Sequence, residues 1–203
     1  MREVLERGDV QFFFRPMVQP ADDDKPRELG VQSFFLVLSP QKGHHRRLRI
    51  GKKRMPSRKG ERFWARIERV GGMQRVLGAA LEDEVYSTKT RGERYQPGAR
   101  PIAVGTYEIV RHDDHAHFCW QAEPFGFEDA PVEIGLAESG DHLVLFENQR
   151  EGRAVWTHEP RLADLDEEGG EIVICGPSSS DTLGVAEENG DDPDLSAEAM
   201  ATS

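Results

Sequence analysis

The run Val31 to Leu38, VQSFFLVL, constrains the fold more than any other stretch of this chain. Successive side chains of a strand point to opposite faces, so an unbroken apolar run needs cover on both sides. That places the segment at the centre of a sheet. Upstream, Asp9 to Met17 (DVQFFFRPM) alternates, with Val10, Phe12 and Phe14 on one face and Pro16 ending the pattern. Downstream, Pro40 to Gly43 makes a turn, and His45 to Ile50 returns as a strand with Leu48 and Ile50 inward and Arg47 and Arg49 toward water.

The spacing then predicts two helices. Phe63, Ile67 and Val70, beside Trp64, fall at helical intervals over Glu61 to Val70. Gly71-Gly72 interrupts. Met73, Val76, Leu77, Ala80 and Leu81 form an i, i+3, i+4, i+7, i+8 stripe that carries a second helix to about Val85. Tyr86 to Pro101 reads as a long polar loop. Ile102 to Arg111 and His115 to Ala122 read as a hairpin turning at His112-Asp113-Asp114, and HLVLFE (His142 to Glu147) and EIVIC (Glu171 to Cys175) as further strands. Strands do not alternate with helices. The expected fold is therefore α+β: a mainly antiparallel sheet of about six or seven strands with two helices packed on one face.

Residues 1–177 are expected to form this single domain. Residues 178–203 hold seven acids, no Lys or Arg and no aromatic residue, a composition expected to stay disordered as an acidic tail. The two cysteines do not make a disulfide framework, no secretory signal opens the chain, and no apolar run approaches the roughly 20 residues of a membrane span. A cytoplasmic protein without a membrane anchor is expected.

Charge is sorted along the sequence. The net charge is −11, yet residues 1–111 carry 23 Lys+Arg against 14 Asp+Glu, while 112–203 carry 3 against 23. Lys42 to Arg69 alone holds twelve cations and two acids. Within it Arg46, Arg47, Arg49, Lys52, Lys53, Arg54, Arg58 and Lys59 form a candidate anion-binding segment, joined by Lys89 and Arg91 of the polar loop. Guanidinium and ammonium groups at such density attract phosphates or carboxylates, so the implied partner is a protein, a nucleic acid or a phosphate ligand. The same residues also suit a solvated face or the protection of a sheet edge. An acidic tail on the same molecule would compete for a cationic surface.

The second candidate is RHDDHAHFCW, Arg111 to Trp120. On a strand, His115, His117 and Cys119 share one face, and two imidazoles two residues apart can offer nitrogens to one metal ion, with Cys119 or Asp113 completing the set. The alternative places Phe118 and Trp120 in the core and leaves the histidines on the wet face. No nucleophile elbow, P-loop or dinucleotide fingerprint is present, and no cofactor is named by any motif. The expected function is a binding or interaction domain for an anionic partner, with a metal-dependent enzyme using His115 and His117 as the alternative.

Overall fold

Alternating inward and outward side chains dominate the computed structural model, which describes residues 2–20, 30–124, 133–150 and 153–177. Strand β1 covers Arg2–Pro16, β2 Gln19–Pro20, β3 Val31–Pro40, β4 His45–Ile50 and β5 Arg62–Gly71. Helix α1 covers Met73–Leu81. The remaining strands are β6 Glu84–Thr88, β7 Gly92–Gln96, β8 Arg100–His112, β9 His115–Pro124, β10 Ser139–Arg150, β11 Arg153–Thr157 and β12 Glu171–Cys175.

Eight strands close into a barrel. The order is β1-β3-β4-β5-β12-β10-β9-β8, returning to β1, with every pairing antiparallel. Each half of the chain supplies four barrel strands, and the halves join edge to edge through β1–β8 and β5–β12. Closure removes the edges of these eight strands, while β11 remains an edge strand of the main sheet among the described residues. Strand β11 pairs with the far part of β10, beyond the stretch that pairs with β9. Gly8 and Gly105 sit where neighbouring strands press close. A Cβ at either would lie about 2 Å from a carbonyl oxygen across the ladder (Ser39 and Gln121).

The α+β expectation of two helices on an open sheet is corrected to a mostly-β barrel with one helix. Glu61 to Val70 is strand, not helix, and the cause is local. Phe63, Ala65 and Ile67 alternate into the barrel, and Ala65 is too small to advertise the period. The β4–β5 register then shifts, Leu48 facing Ile67 but Arg47 facing Arg69, so Glu68 is an extra residue. That bulge brings Val70 onto the same face as Ile67, three residues later, and counterfeits a helical interval. The polar loop is corrected as well: β6 and β7 pair across Tyr86 to Arg94 as a hairpin.

Helix α1 lies where the apolar stripe puts it but stops at Leu81. It supplies the second cover for β3. Phe34, Leu36 and Leu38 fill the barrel, while Phe35 and Val37 pack outward with Phe13 against Val76, Leu77 and Ala80. The barrel interior is close-packed, with a cavity of about 20 Å³ lined wholly by apolar side chains. Polar side chains close one end: Arg46 Nη1 lies 2.7 and 2.8 Å from the two oxygens of Glu6, Arg46 Nε lies 2.8 Å from Asp166, and the Tyr107 hydroxyl donates to Glu6 at 2.8 Å. The 3-10 turn Leu162–Asp166 inserts Leu165 beside them. At the other end Trp120 and His142 stack, 6.4 Å apart. No helix among the described residues is long and apolar enough to cross a membrane. The expected acidic tail, 178–203, lies outside the described residues.

Candidate functional site

Outward-facing arginines collect on one wall of the barrel because two adjacent strands carry them in register. Arg47 lies opposite Arg69 and Arg49 opposite Arg66 on the β4–β5 ladder. Like charges directly opposed destabilise a sheet. The bulge at Glu68 places a carboxylate among them: Oε2 is 3.0 Å from Arg47 Nε and Oε1 3.8 Å from Arg49 Nη1. The Arg47 contact is not aligned as a hydrogen bond, so it is Coulombic. Arg15 from β1 and Arg75 from α1 join them around a cleft of about 290 Å³, with Phe35, Gln32, Ser33 and the Ala79-Ala80 face of the helix as its remaining lining.

The five arginines differ in freedom. Arg47 is mostly buried (15% exposed), donates to the Val76 carbonyl at 3.0 Å, and lies over the Phe35 ring. Burial pulls its pKa down; Arg69 and Arg15 add to that and Glu68 opposes it. The guanidinium is thus held where its charge is under-compensated. Arg69 donates to its neighbour's carbonyl at 2.8 Å, and Arg75 is held by the Val70 carbonyl and by Glu168 at 2.8 Å. Arg49 is half exposed, with its nearest carboxylate at the 3.8 Å already given. Glu68 is the sole acid lining the cleft among the described residues. Five guanidinium groups thus line a cleft with one carboxylate in its lining, Arg75 being paired with Glu168 beside it; planar forks of this kind can bind phosphate or carboxylate oxygens two at a time.

The cations singled out in the sequence fall in five places. Arg47 and Arg49 reach the cleft. Arg46, one residue away, points into the barrel, 3% exposed and clasped by Glu6 and Asp166. Arg54 is locked to Glu61, whose carboxylate that guanidinium and the amides of Ser57 and Arg58 hold down to about 2. Lys52 and Lys53 line a second, shallower hollow with Arg54, Glu61, Phe63 and Glu133, while Arg58 and Lys59 are exposed on the connection before β5. Lys89 and Arg91 sit at the tip of the β6–β7 hairpin and do not line the cleft. Arg15, Glu68, Arg69 and Arg75 were not singled out, because they converge from β1, β5 and α1 only through long-range pairing. The outward positions of Arg47 and Arg49 were the one legible signal.

His115, His117 and Cys119 do share the outer face of β9, with the two imidazoles 5.0 Å apart. Each is already engaged. His115 Nδ1 meets Asp114 at 3.0 Å and His117 Nδ1 meets Asp141 at 2.6 Å. Burial, then Asp141, pushes the Cys119 thiol up to about 11, so it is not a thiolate at neutral pH. Asp113 occupies the turn with a φ of 57°. No three His, Cys, Asp or Glu side chains among the described residues group as metal ligands. Comparison with known proteins finds no matching family, no similar curated protein and no similar solved structure.

Proposed function

We propose that this protein is a binding domain whose ligand is a compact phosphate-bearing anion seated in the arginine cleft. The observation that carries it is the convergence of Arg15, Arg47, Arg49, Arg69 and Arg75 on a hollow with one lining carboxylate. A volume of about 290 Å³ is close to the lower bound of small-molecule sites, roughly 300 Å³. An extended nucleic acid fits the geometry less well, because among the described residues these cations line two separate hollows. The apolar barrel cavity, at about 20 Å³, has no room or polar lining for such a ligand.

The acidic residues 178–203 act as an internal competitor for the same surface at high effective concentration. Both cysteines are free, which suits a reducing cytoplasm. Calorimetric titration with inorganic pyrophosphate and tripolyphosphate tests this, on the full chain and on one ending at Pro177. The shorter chain binds more tightly, and binding weakens as added salt screens the charges. An oligonucleotide that outcompetes tripolyphosphate would favour an extended polyanion instead. Absence of binding by the shorter chain at low salt would remove the basis of the proposal.

A further inference from the structure

The barrel has no open edges, but the appendage built on it does. Strands β2, β7 and β6 form a separate three-stranded sheet in which β6, Glu84–Thr88, has one strand neighbour among the described residues. Four of its five residues are exposed. An unpaired edge presents a row of backbone donors and acceptors that template another strand. This one has no proline or lysine within it to discourage pairing. Two of the large hydrophobic residues that are exposed among those described lie on β6 itself, adjacent in sequence and so on opposite faces of the sheet. Val85 (62%) and Tyr86 are on β6, Leu81 ends the helix just before it, and Met17 (51%) precedes β2.

We propose that two copies of this chain associate through β6, pairing antiparallel about a two-fold axis at Tyr86 to give one six-stranded sheet. The self-complementarity of the segment selects this partner. A two-fold axis normal to an antiparallel ladder passes between a residue and its own copy. With Tyr86 on the axis, Val85 faces Ser87, Glu84 faces Thr88, and Asp83 faces Lys89, twice by symmetry. Opposite charges meet and no like charges are opposed. An axis at Val85 would set Lys89 against Leu81, and one at Ser87 would set it against Val85. This surface is independent of the arginine cleft.

Cysteine cross-linking tests the register. Opposed residues in a ladder hold their Cβ atoms about 4.5–5.5 Å apart, close to disulfide reach. Under mild oxidation Tyr86→Cys forms a covalent dimer that the wild-type chain, with Cys119 and Cys175, does not. Val85→Cys and Ser87→Cys form it only when combined. In sedimentation velocity the wild-type chain shows a concentration-dependent dimer, and Lys89→Glu raises its dissociation constant about tenfold. A chain monomeric at every concentration overturns the proposal. So does a dimer that Lys89→Glu leaves unchanged, or a Val85→Cys variant that cross-links as well as Tyr86→Cys.

Discussion

Arg46 and Arg47 are neighbours with opposite fates, and side-chain alternation is the reason. Arg46 enters the barrel, where burial works against its charge but the hydrogen bonds to Asp166 and Glu6 outweigh it, leaving the pKa raised. Removing one member of a buried ion pair leaves the other uncompensated. Glu6→Gln is therefore expected to cost about 3–5 kcal/mol in urea unfolding, and a cost under about 1 kcal/mol would show the network to be peripheral. At the other end, His142 donates from Nδ1 to the Cys175 carbonyl, and burial lowers its pKa. Burial lowers His158 in the same direction. The unfolded imidazoles titrate near 6.5, so below that pH the unfolded chain binds protons that the folded chain does not. The contribution of these two imidazoles to stability is therefore fully present above about pH 6.5 and is lost as the pH falls below it. His142→Asn should flatten that decline in the urea midpoint. Gly140 makes room for this stack, since a Cβ there would lie 2.4 Å from Trp120 Nε1 and 2.5 Å from His142 Nε2. Gly140→Ala is expected to destabilise by about 1–3 kcal/mol through forced displacement of the two rings.

Among the elements, legibility followed how local the determining contacts were. Val31 to Leu38 announced two-sided burial, and the structure provides it, barrel core on one face and α1 on the other. The α1 stripe was legible because it lies within one helix. Strand β5 was not, because Ala65 hid the alternation and the Glu68 bulge mimicked a helical interval. The β6–β7 hairpin was hidden because its apolar residues Val85 and Tyr86 are adjacent, on opposite faces, and so give no apolar alternation. The bulge also sets the chemistry of the cleft, since it delivers the carboxylate that lines it. Glu68→Gln should therefore tighten tripolyphosphate binding several-fold in calorimetry while leaving the barrel folded. Deleting Glu68 outright would restore plain alternation, with Ile67 and Val70 still inward and Arg69 still outward, and would remove the same carboxylate from the cleft.

At the scale of the whole molecule, two four-strand halves close on each other through β1–β8 and β5–β12. Barrel closure was invisible in the sequence because these pairings join residues about a hundred positions apart, such as Arg2 with His112 and Phe63 with Ile174. The same closure decides the site. A run of twelve cations over Lys42 to Arg69 looks like one surface when read linearly, but the barrel divides it among an interior ion network, a shallow hollow, an exposed connection and a cleft completed by Arg15 and Arg75. The central claim is that this cleft, rather than the density of positive charge, binds the anion. The most direct measurement compares two variants that each lose two positive charges, Arg49→Gln/Arg69→Gln in the cleft and Lys53→Gln/Arg58→Gln outside it, by tripolyphosphate calorimetry on chains of unchanged circular dichroism. Loss of binding at least tenfold greater in the cleft variant is the predicted result. Equal loss in both would contradict it.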